Sequence, residues 1–192
     1  MTKTRTFVAV ELSHSVRQRA GDLIQRLQAS AARVGWVSPE NMHITLKFLG
    51  EQTDDDIATI CQAVMEAAKT VAPFEFNCHG AGAFPSHTRP RTVWIGVREG
   101  TDALRQLHQR VEDQLWQRGY KKEKRAFHPH VTIGRVRRGG AGVETLGDLI
   151  TAAEQFQAGT VVAEEVVVFG SHLGRGGPRY QALARAPLEG QS

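Results

Sequence analysis

The chain has 192 residues and a net charge of +4, from 24 lysine and arginine residues against 20 aspartate and glutamate residues. This length is enough for one sizeable core, and the mild positive charge favours an anionic ligand such as a phosphate or a nucleic acid. The N-terminus becomes polar after a few apolar residues and no apolar run could span a bilayer, so we expect a soluble, cytoplasmic protein without membrane contact. Cys61 and Cys78 have neither a disulfide nor a zinc-knuckle spacing and are expected to be core thiols.

The first half of the chain predicts two strands, each followed by a helix. Arg5–Leu12 is rich in β-forming residues, and Met42–Leu49 alternates between apolar and polar residues after the turn signal "SPEN" at 38–41. Thr53 followed by Asp56 is typical of a helix N-cap. Helical spacing of apolar residues follows both strands, at Val16, Ala20, Leu23, Ile24, Leu27 and Ala31, and at Ile57, Ile60, Cys61, Val64 and Ala68.

The second half predicts more strands with two further helices. One helix opens at Thr101 and stops before Gly119, and another runs from Glu144 to Gln157. "GRGG" at 174–177 is typical of a hairpin turn. Strands are predicted at 74–80, 91–97, around 130–135, within 160–173 and at 178–188.

A histidine, any residue and a threonine (HxT) occur twice in similar surroundings. "HITLKFLG" begins at His43 and "HPHVTIGR" includes His130, while "RTFVAVEL" and "RTVWIGV" precede them at nearly equal distances. This predicts two repeat units, 5–50 and 91–138, that pack around an approximate two-fold axis within one domain, 1–192. The two histidines are therefore expected to face each other across a cleft.

Two such motifs suit chemistry on a phosphodiester. In a strand, residues i and i+2 lie on one face about 6.5–7 Å apart, so a histidine and its threonine can reach the same small group. One neutral imidazole can take a proton from an attacking hydroxyl while the other, protonated, gives one to the departing oxygen. No metal is required, and with unperturbed pKa values of about 6.5 the profile of kcat/KM against pH is expected to be bell-shaped near neutrality.

These residues resemble a known family. "HITL", "HVTI", "FHPHVTIGR" and "SHLGRGGPRY" are similar to segments of the RNA 2',3'-cyclic phosphodiesterases, also called 2'-5' RNA ligases or LigT-like proteins, of the two-histidine phosphoesterase superfamily. The resemblance implies a two-lobed α+β fold in which antiparallel sheets line a central cleft with helices outside. It also implies hydrolysis of a terminal 2',3'-cyclic phosphate of RNA to a 2'-phosphate, with reversible 2'-5' RNA ligation as a second activity and without metal or cofactor.

Carried over by motif, the resemblance implies roles for four residues. His43 is the proton donor to the leaving 3'-oxygen and His130 is the proton acceptor that activates water, although the sequence itself does not order these two roles. Thr45 and Thr132 hold the phosphate, with a plain strand-forming role as the alternative. Arg135 projects just past the second motif, where its bidentate guanidinium can steady phosphate oxygens, and it is otherwise a solvated charge.

Other candidate RNA contacts have simpler alternatives. The lysines and arginine are otherwise solvated charges, and the aromatic residues are otherwise core residues. His128 and His130 form an HxH pair, but a zinc site needs three or four ligands, so His128 is expected to support or pack. The candidate RNA contacts are Lys47, Lys121, Arg125, Phe127 and Tyr180, with Trp36 a weaker candidate for stacking.

Two other functions fit the same residues. An RNA-end binding module would keep the cleft without turnover, and a related enzyme would act on a small cyclic nucleotide or a 2'-5'-linked oligonucleotide. Paired proton-transfer groups favour the enzyme, because a binding module does not need them. We expect RNA ends with a 2',3'-cyclic phosphate, tRNA fragments among them, as substrates of a monomer that has no obligate protein partner.

Overall fold

The structure is a computed structural model that describes residues 3–137, 141–174 and 177–191. It is an α+β protein, as the sequence predicted. In chain order its elements are β1 (Thr4–Glu11), α1 (His14–Gln28), β2 (Val34–Trp36), β3 (His43–Gln52), α2 (Asp54–Ala68), β4 (Phe74–Phe84), β5 (Thr92–Val97), α3 (Thr101–Trp116), β6 (His130–Val136), α4 (Val143–Ala152), β7 (Gln157–Ala163), β8 (Glu165–Gly174) and β9 (Gly177–Pro187).

Most predicted elements are present, with two differences. β2 was not predicted, because three residues are too few to show a periodic pattern. The last helix ends at Ala152 and not at Gln157, because the turn that follows is held by β4: backbone N–H groups of Gly80 and Ala81 donate to carbonyls in that turn. Gln157 instead begins β7.

Local signals explain where helices begin. The hydroxyl of Thr53 accepts from the backbone N–H of Asp56, and the Asp56 carboxylate accepts from the backbone N–H of Thr53. This capping box satisfies two N–H groups that a helix N-terminus leaves without partners. The predicted start of α2 is thus confirmed.

All strands of the described residues form a single antiparallel sheet whose two halves meet at the HxT strands. The order is β7-β4-β5-β6-β3-β1-β8-β9, with β2 paired to β6. We call β3, β1, β8 and β9 the first lobe and β6, β5, β4 and β7 the second lobe. β3 and β6 are joined through one register pair, Ile44 with Val131. The middle residues of the two HxT motifs therefore lie at the centre of the pseudo-two-fold arrangement.

The helices cover one face of this sheet. Along β1, Val8 and Val10 belong to the main core together with residues of the helices, whereas Phe7 and Ala9 belong to a separate small cluster with Val167 and Phe169. We call the first side the helix face and the second the cleft face. The hydrophobic core thus lies on the helix face, and the cleft face is free to hold a ligand.

The helices join the two lobes. α1 follows β1 in the chain but packs against β7 of the second lobe and against α4, while α3 packs mainly against α2 and contacts both β3 and β4. The main core is accordingly one cluster with residues from both repeats.

The hairpin turn predicted at 174–177 lies at the end of β8 and β9. Gly174 and Gly177 are register partners there, and residues 175–176 lie outside the described residues.

Among the described helices, none combines the length and apolar character that crossing a bilayer requires.

Candidate active site

The central register pair brings the four motif side chains together. Ile44 and Val131 are the register pair that joins the antiparallel strands β3 and β6, so His43 and Thr45 flank this pair on one strand and His130 and Thr132 flank it on the other. Residues on either side of a given residue in a strand project from the opposite face of the sheet. Thr45 is the register partner of Ala9, which belongs to the cluster on the cleft face. Both imidazoles and both hydroxyls therefore share the cleft face at the junction of the lobes.

Each histidine is oriented by a hydrogen bond from its Nδ1 to a backbone carbonyl two residues earlier in the chain. Nδ1 of His43 lies 2.7 Å from the carbonyl oxygen of Asn41, and Nδ1 of His130 lies 2.6 Å from that of His128. A carbonyl oxygen can only accept, so each Nδ1 carries the hydrogen. Nε2 of each neutral ring is then the basic nitrogen that can receive and return a proton.

Burial keeps both imidazoles neutral in the free protein at neutral pH. It lowers the pKa of His43 from 6.5 to about 4, against the opposing effect of the hydrogen bond to Asn41. Burial also lowers the pKa of His130, and the positive charge of Arg135 acts in the same direction. A charged imidazole at this site therefore needs a compensating negative charge, which a phosphodiester would supply.

Aromatic rings surround the first histidine. His43 stacks on Phe7 with ring centroids 4.8 Å apart, and Tyr180 meets His43 edge-on at 5.4 Å. Phe169 in turn stacks on Phe7 at 5.3 Å. A cavity of about 170 Å³ adjoins His43 and is lined by Phe169, Tyr180, Asn41 and charged side chains that include Arg17. The structure thus brings Tyr180 to the site where the sequence predicted an RNA contact.

The second histidine also lies beside aromatic rings. His130 meets Phe84 edge-on at 5.2 Å and lies 6.4 Å from Trp94, measured between ring centroids. The indole of Trp94 lies over Gly82, where an added Cβ would approach the ring to 2.2 Å. Its Nε1 is buried and has no hydrogen-bond partner among the described residues. Arg135 is exposed nearby, and Arg17 lines the cavity at His43, so both histidines have a cationic side chain close by.

A β-bulge follows each HxT motif and reverses the alternation of side chains. The register of β3 against β1 skips Leu46, and that of β6 against β5 skips Ile133. Lys47 therefore pairs with Val8 on the helix face, and Phe48 pairs with Phe7 on the cleft face. In the second motif the same step turns Gly134 to the helix face and Arg135 to the cleft face.

The prediction that Lys47 contacts RNA is wrong for this reason. Its relative exposure is 7%, and its ammonium forms an ion pair with Glu112 at 2.5 Å. The ammonium also donates to the carbonyl oxygen of Lys121 at 2.8 Å. Lys47 is thus directed away from the cleft.

Phe48 is a cleft residue that the sequence did not predict, as are Phe7 and Phe84, whose aromatic rings lie beside the histidines. The ring of Phe48 is 68% exposed and lies 6.1 Å from that of Phe7. Phe48 comes three residues after Thr45, as Arg135 comes three residues after Thr132. Aligning the two motifs beyond the threonine would have identified this position.

The remaining predicted residues fall into two groups. Lys121 and Arg125 are exposed in the segment between α3 and β6, where they are accessible to a ligand. The rings of Phe127 and His108 are stacked, with their centroids 4.2 Å apart and an angle of 2° between their planes. Phe127 also packs against the main core. Trp36 packs over Gly134. These contacts favour a packing role for both aromatic residues.

Both cysteines pack in or against the main core. Cys78 is buried, and burial raises its thiol pKa to about 12, as expected of a core thiol. Within the described ranges, no three His, Cys, Asp or Glu side chains cluster in a way that could hold a metal ion. His128 contributes its backbone carbonyl to the site.

Comparison with protein families agrees with this geometry. A family model described as the 2'-5' RNA ligase superfamily matches residues 14–169. The chain is 33% identical over 186 residues to the RNA 2',3'-cyclic phosphodiesterase of Thermotoga maritima, covering 97% of this chain and 96% of that protein. Identity to the protein of the same name from Archaeoglobus fulgidus is 40% over 134 residues, covering 70% and 73% of the two chains.

Solved structures have the same fold. The chain is similar to TT0787 of Thermus thermophilus with a TM-score of 0.81 at 22% identity, covering 98% of this chain and all of that one. It is also similar to E. coli LigT complexed with 3'-AMP, with a TM-score of 0.76 at 25% identity and coverage of 97% and 98%.

Proposed function

The chain belongs to the 2'-5' RNA ligase superfamily, and on that premise we propose that it acts as an RNA 2',3'-cyclic phosphodiesterase that leaves a 2'-phosphate. One observation carries this proposal: two imidazoles, each with Nδ1 fixed by a carbonyl and Nε2 left basic, lie beside two threonine hydroxyls on the same face. This arrangement supplies a proton acceptor, a proton donor and two phosphate donors at a single point.

The cavity beside His43 supports an order for the two histidines. The aromatic surface around His43 suits the nucleoside of the RNA end, because aromatic side chains stack on unpaired bases. The attacking water must be in line with the bond to the departing 3'-oxygen, on the opposite side of phosphorus. His43 then protonates the 3'-oxygen and His130 takes the proton from water, while the 2'-oxygen keeps the phosphate.

Phosphate binding falls to hydroxyl and guanidinium groups. Thr45 and Thr132 donate to the non-bridging oxygens, and Arg135 on the cleft face complements their negative charge. Lys121 and Arg125 are exposed before the second motif and would contact the RNA backbone upstream of its end. None of these steps requires a metal ion.

The same pair supports 2'-5' ligation. A 5'-hydroxyl would replace water as the nucleophile, with His130 still the proton acceptor and His43 still the proton donor to the 3'-oxygen. In the reverse cleavage the 3'-hydroxyl attacks, the 5'-oxygen leaves, and the histidines exchange roles by microscopic reversibility. tRNA fragments that carry cyclic phosphate ends are proposed as substrates for hydrolysis and for ligation. The cytoplasmic location, the monomeric state and the lack of an obligate protein partner stay predictions from the sequence.

The test is turnover of a short RNA with a 2',3'-cyclic phosphate end in excess EDTA. We expect wild type to form a 2'-phosphate, and His43→Ala and His130→Ala to lose about 10²–10⁴ in rate while still binding the RNA. His14→Ala is the control, because His14 is an exposed residue of α1. Tight, salt-sensitive binding by a wild type that releases no product would instead identify an RNA-end binding module.

A further inference from the structure

Lys47 and Glu112 form an ion pair that the proposed chemistry does not use. Their relative exposures are 7% and 3%, and Nζ lies 2.5 Å from Oε1 on the helix face below β3. Removing two charges from water costs several kcal/mol per ion, so a buried pair is often no more stabilising than apolar residues of similar volume. The other contacts of the pair point to a role besides stability.

Each charged group has a second partner in the segment that precedes the second motif. The ammonium of Lys47 donates to the carbonyl oxygen of Lys121 at 2.8 Å. The other carboxylate oxygen of Glu112 accepts from the backbone N–H of Glu123 at 3.1 Å. Both bonds hold the backbone of this segment, while its charged side chains stay exposed.

A third contact fixes the end of the same segment. His108 precedes Glu112 by about one helical turn on α3 and stacks flat on Phe127. Burial lowers the pKa of His108 and keeps this ring neutral. The residue after Phe127 is His128, whose carbonyl holds Nδ1 of His130 at 2.6 Å.

These contacts link one HxT strand to the histidine of the other. Lys47 comes two residues after Thr45, so the strand with the first motif also holds the chain that leads to His130. β3 and β6 themselves share a single register pair among the described residues, so contacts outside the sheet, in the core and in this segment, also set their relative placement.

We propose that Lys47 and Glu112 are positioning residues that hold the segment before His130 and thereby set the orientation of its imidazole opposite the first motif. The kinetic test of this inference rests on the proposed function, because it measures turnover. The NMR test does not, because it measures only the hydrogen bond between His128 and His130. Neither residue touches the substrate.

Kinetics of a small substrate separate positioning from RNA binding. Adenosine 2',3'-cyclic phosphate lacks the upstream backbone that the segment 121–125 would contact, so its KM should not depend on that contact. For Lys47→Met and Glu112→Gln we expect kcat to fall by about 10²-fold, the effect typical of a misplacement near 1 Å, with KM unchanged. Asp113→Asn is the matched control, since it removes a largely exposed ion pair between the same helix and the same segment, Asp113 with Lys122.

The double variant Lys47→Met with Glu112→Met separates positioning from stability. Replacing a buried pair by apolar side chains commonly restores stability. We therefore expect its Tm to recover while kcat stays low, because the bonds to Lys121 and Glu123 are still missing. Recovery of kcat together with Tm would overturn the proposal, as would folded single variants with the kcat of wild type.

An NMR measurement tests the same point without catalysis. The Nδ1 proton of His130 should be observable in wild type and Asp113→Asn, because its hydrogen bond slows exchange, and should be lost or shifted in the other variants. An unchanged signal in those variants would contradict the positioning role. A wild type that shows this signal but no turnover would sink the proposed function and leave the positioning role standing.

Discussion

The ring of His43 is enclosed by Phe7 and Tyr180, and this enclosure decides its charge. Burial lowers its pKa to about 4, and burial lowers the pKa of His130 as well. Between the two values the pair carries a single proton, and the negative charge of the bound phosphate must favour His43 as its carrier for His43 to act as the proton donor. Above both values neither ring carries the proton for the leaving group, and below both values neither ring can accept one.

The profile of kcat/KM against pH is therefore expected to be bell-shaped on the acid side of neutrality. The alkaline limb should fall at a pH below 6.5 and the acid limb near pH 4. Saturation with the anionic substrate should shift the kcat profile to higher pH, because an adjacent negative charge raises the pKa of an imidazole. Steady-state rates at constant ionic strength from pH 3.5 to 9 would check this, and a flat profile would exclude the paired-imidazole mechanism.

At the scale of elements, the β-bulges after the two motifs determine which side chains reach the substrate. Simple alternation along β3 places His43, Thr45 and Lys47 on one face. The extra residue Leu46 in the register with β1 turns Lys47 to the helix face and Phe48 to the cleft. The same shift makes Arg135 a cleft residue in the other lobe.

This explains how far the sequence could predict the site. The HxT strands, their repetition and the capping box at Thr53 depend on residues close together in the chain, and the pattern reveals them. A bulge depends on how a strand pairs with its neighbour. The sequence of β3 alone therefore does not predict the bulge in its pairing with β1. The error over Lys47 and the omission of Phe48 have this one physical cause.

Phe48→Ala tests the surface that the first bulge creates. Its exposed ring is available for a base, and stacking of one base on an aromatic side chain contributes about 1–3 kcal/mol. We expect kcat/KM for adenosine 2',3'-cyclic phosphate to fall by about 5- to 150-fold, mainly through KM, with Tm nearly unchanged. Trp116→Ala is the control, because Trp116 is also an exposed aromatic residue but lies at the end of α3. Equal KM values for Phe48→Ala and wild type would exclude Phe48 from base binding.

At the scale of the whole molecule, the helices join the two lobes into one folding unit. α1 follows β1 of the first lobe but packs against β7 and α4, and α3 packs against α2 and contacts both β3 and β4. Removal of α1 would therefore expose apolar surface in the second lobe. The sequence predicted α1 but not the strand that it covers, because the pattern of a helix does not specify which part of a sheet it will pack against.

Leu23→Ala in α1 tests this coupling. Leu23 is fully buried in the main core, and truncation of a buried leucine to alanine lowers the free energy of unfolding by about 2–5 kcal/mol. If the repeats form one cooperative unit, hydrogen-exchange protection should fall equally in β8 of the first lobe and β4 of the second, and denaturant unfolding should keep a single transition. Arg19→Ala, at an exposed position of the same helix, should leave both lobes unaffected. Loss of protection confined to one lobe, or a second unfolding transition, would show that the lobes fold independently and that their junction at Ile44 and Val131 is a contact between domains.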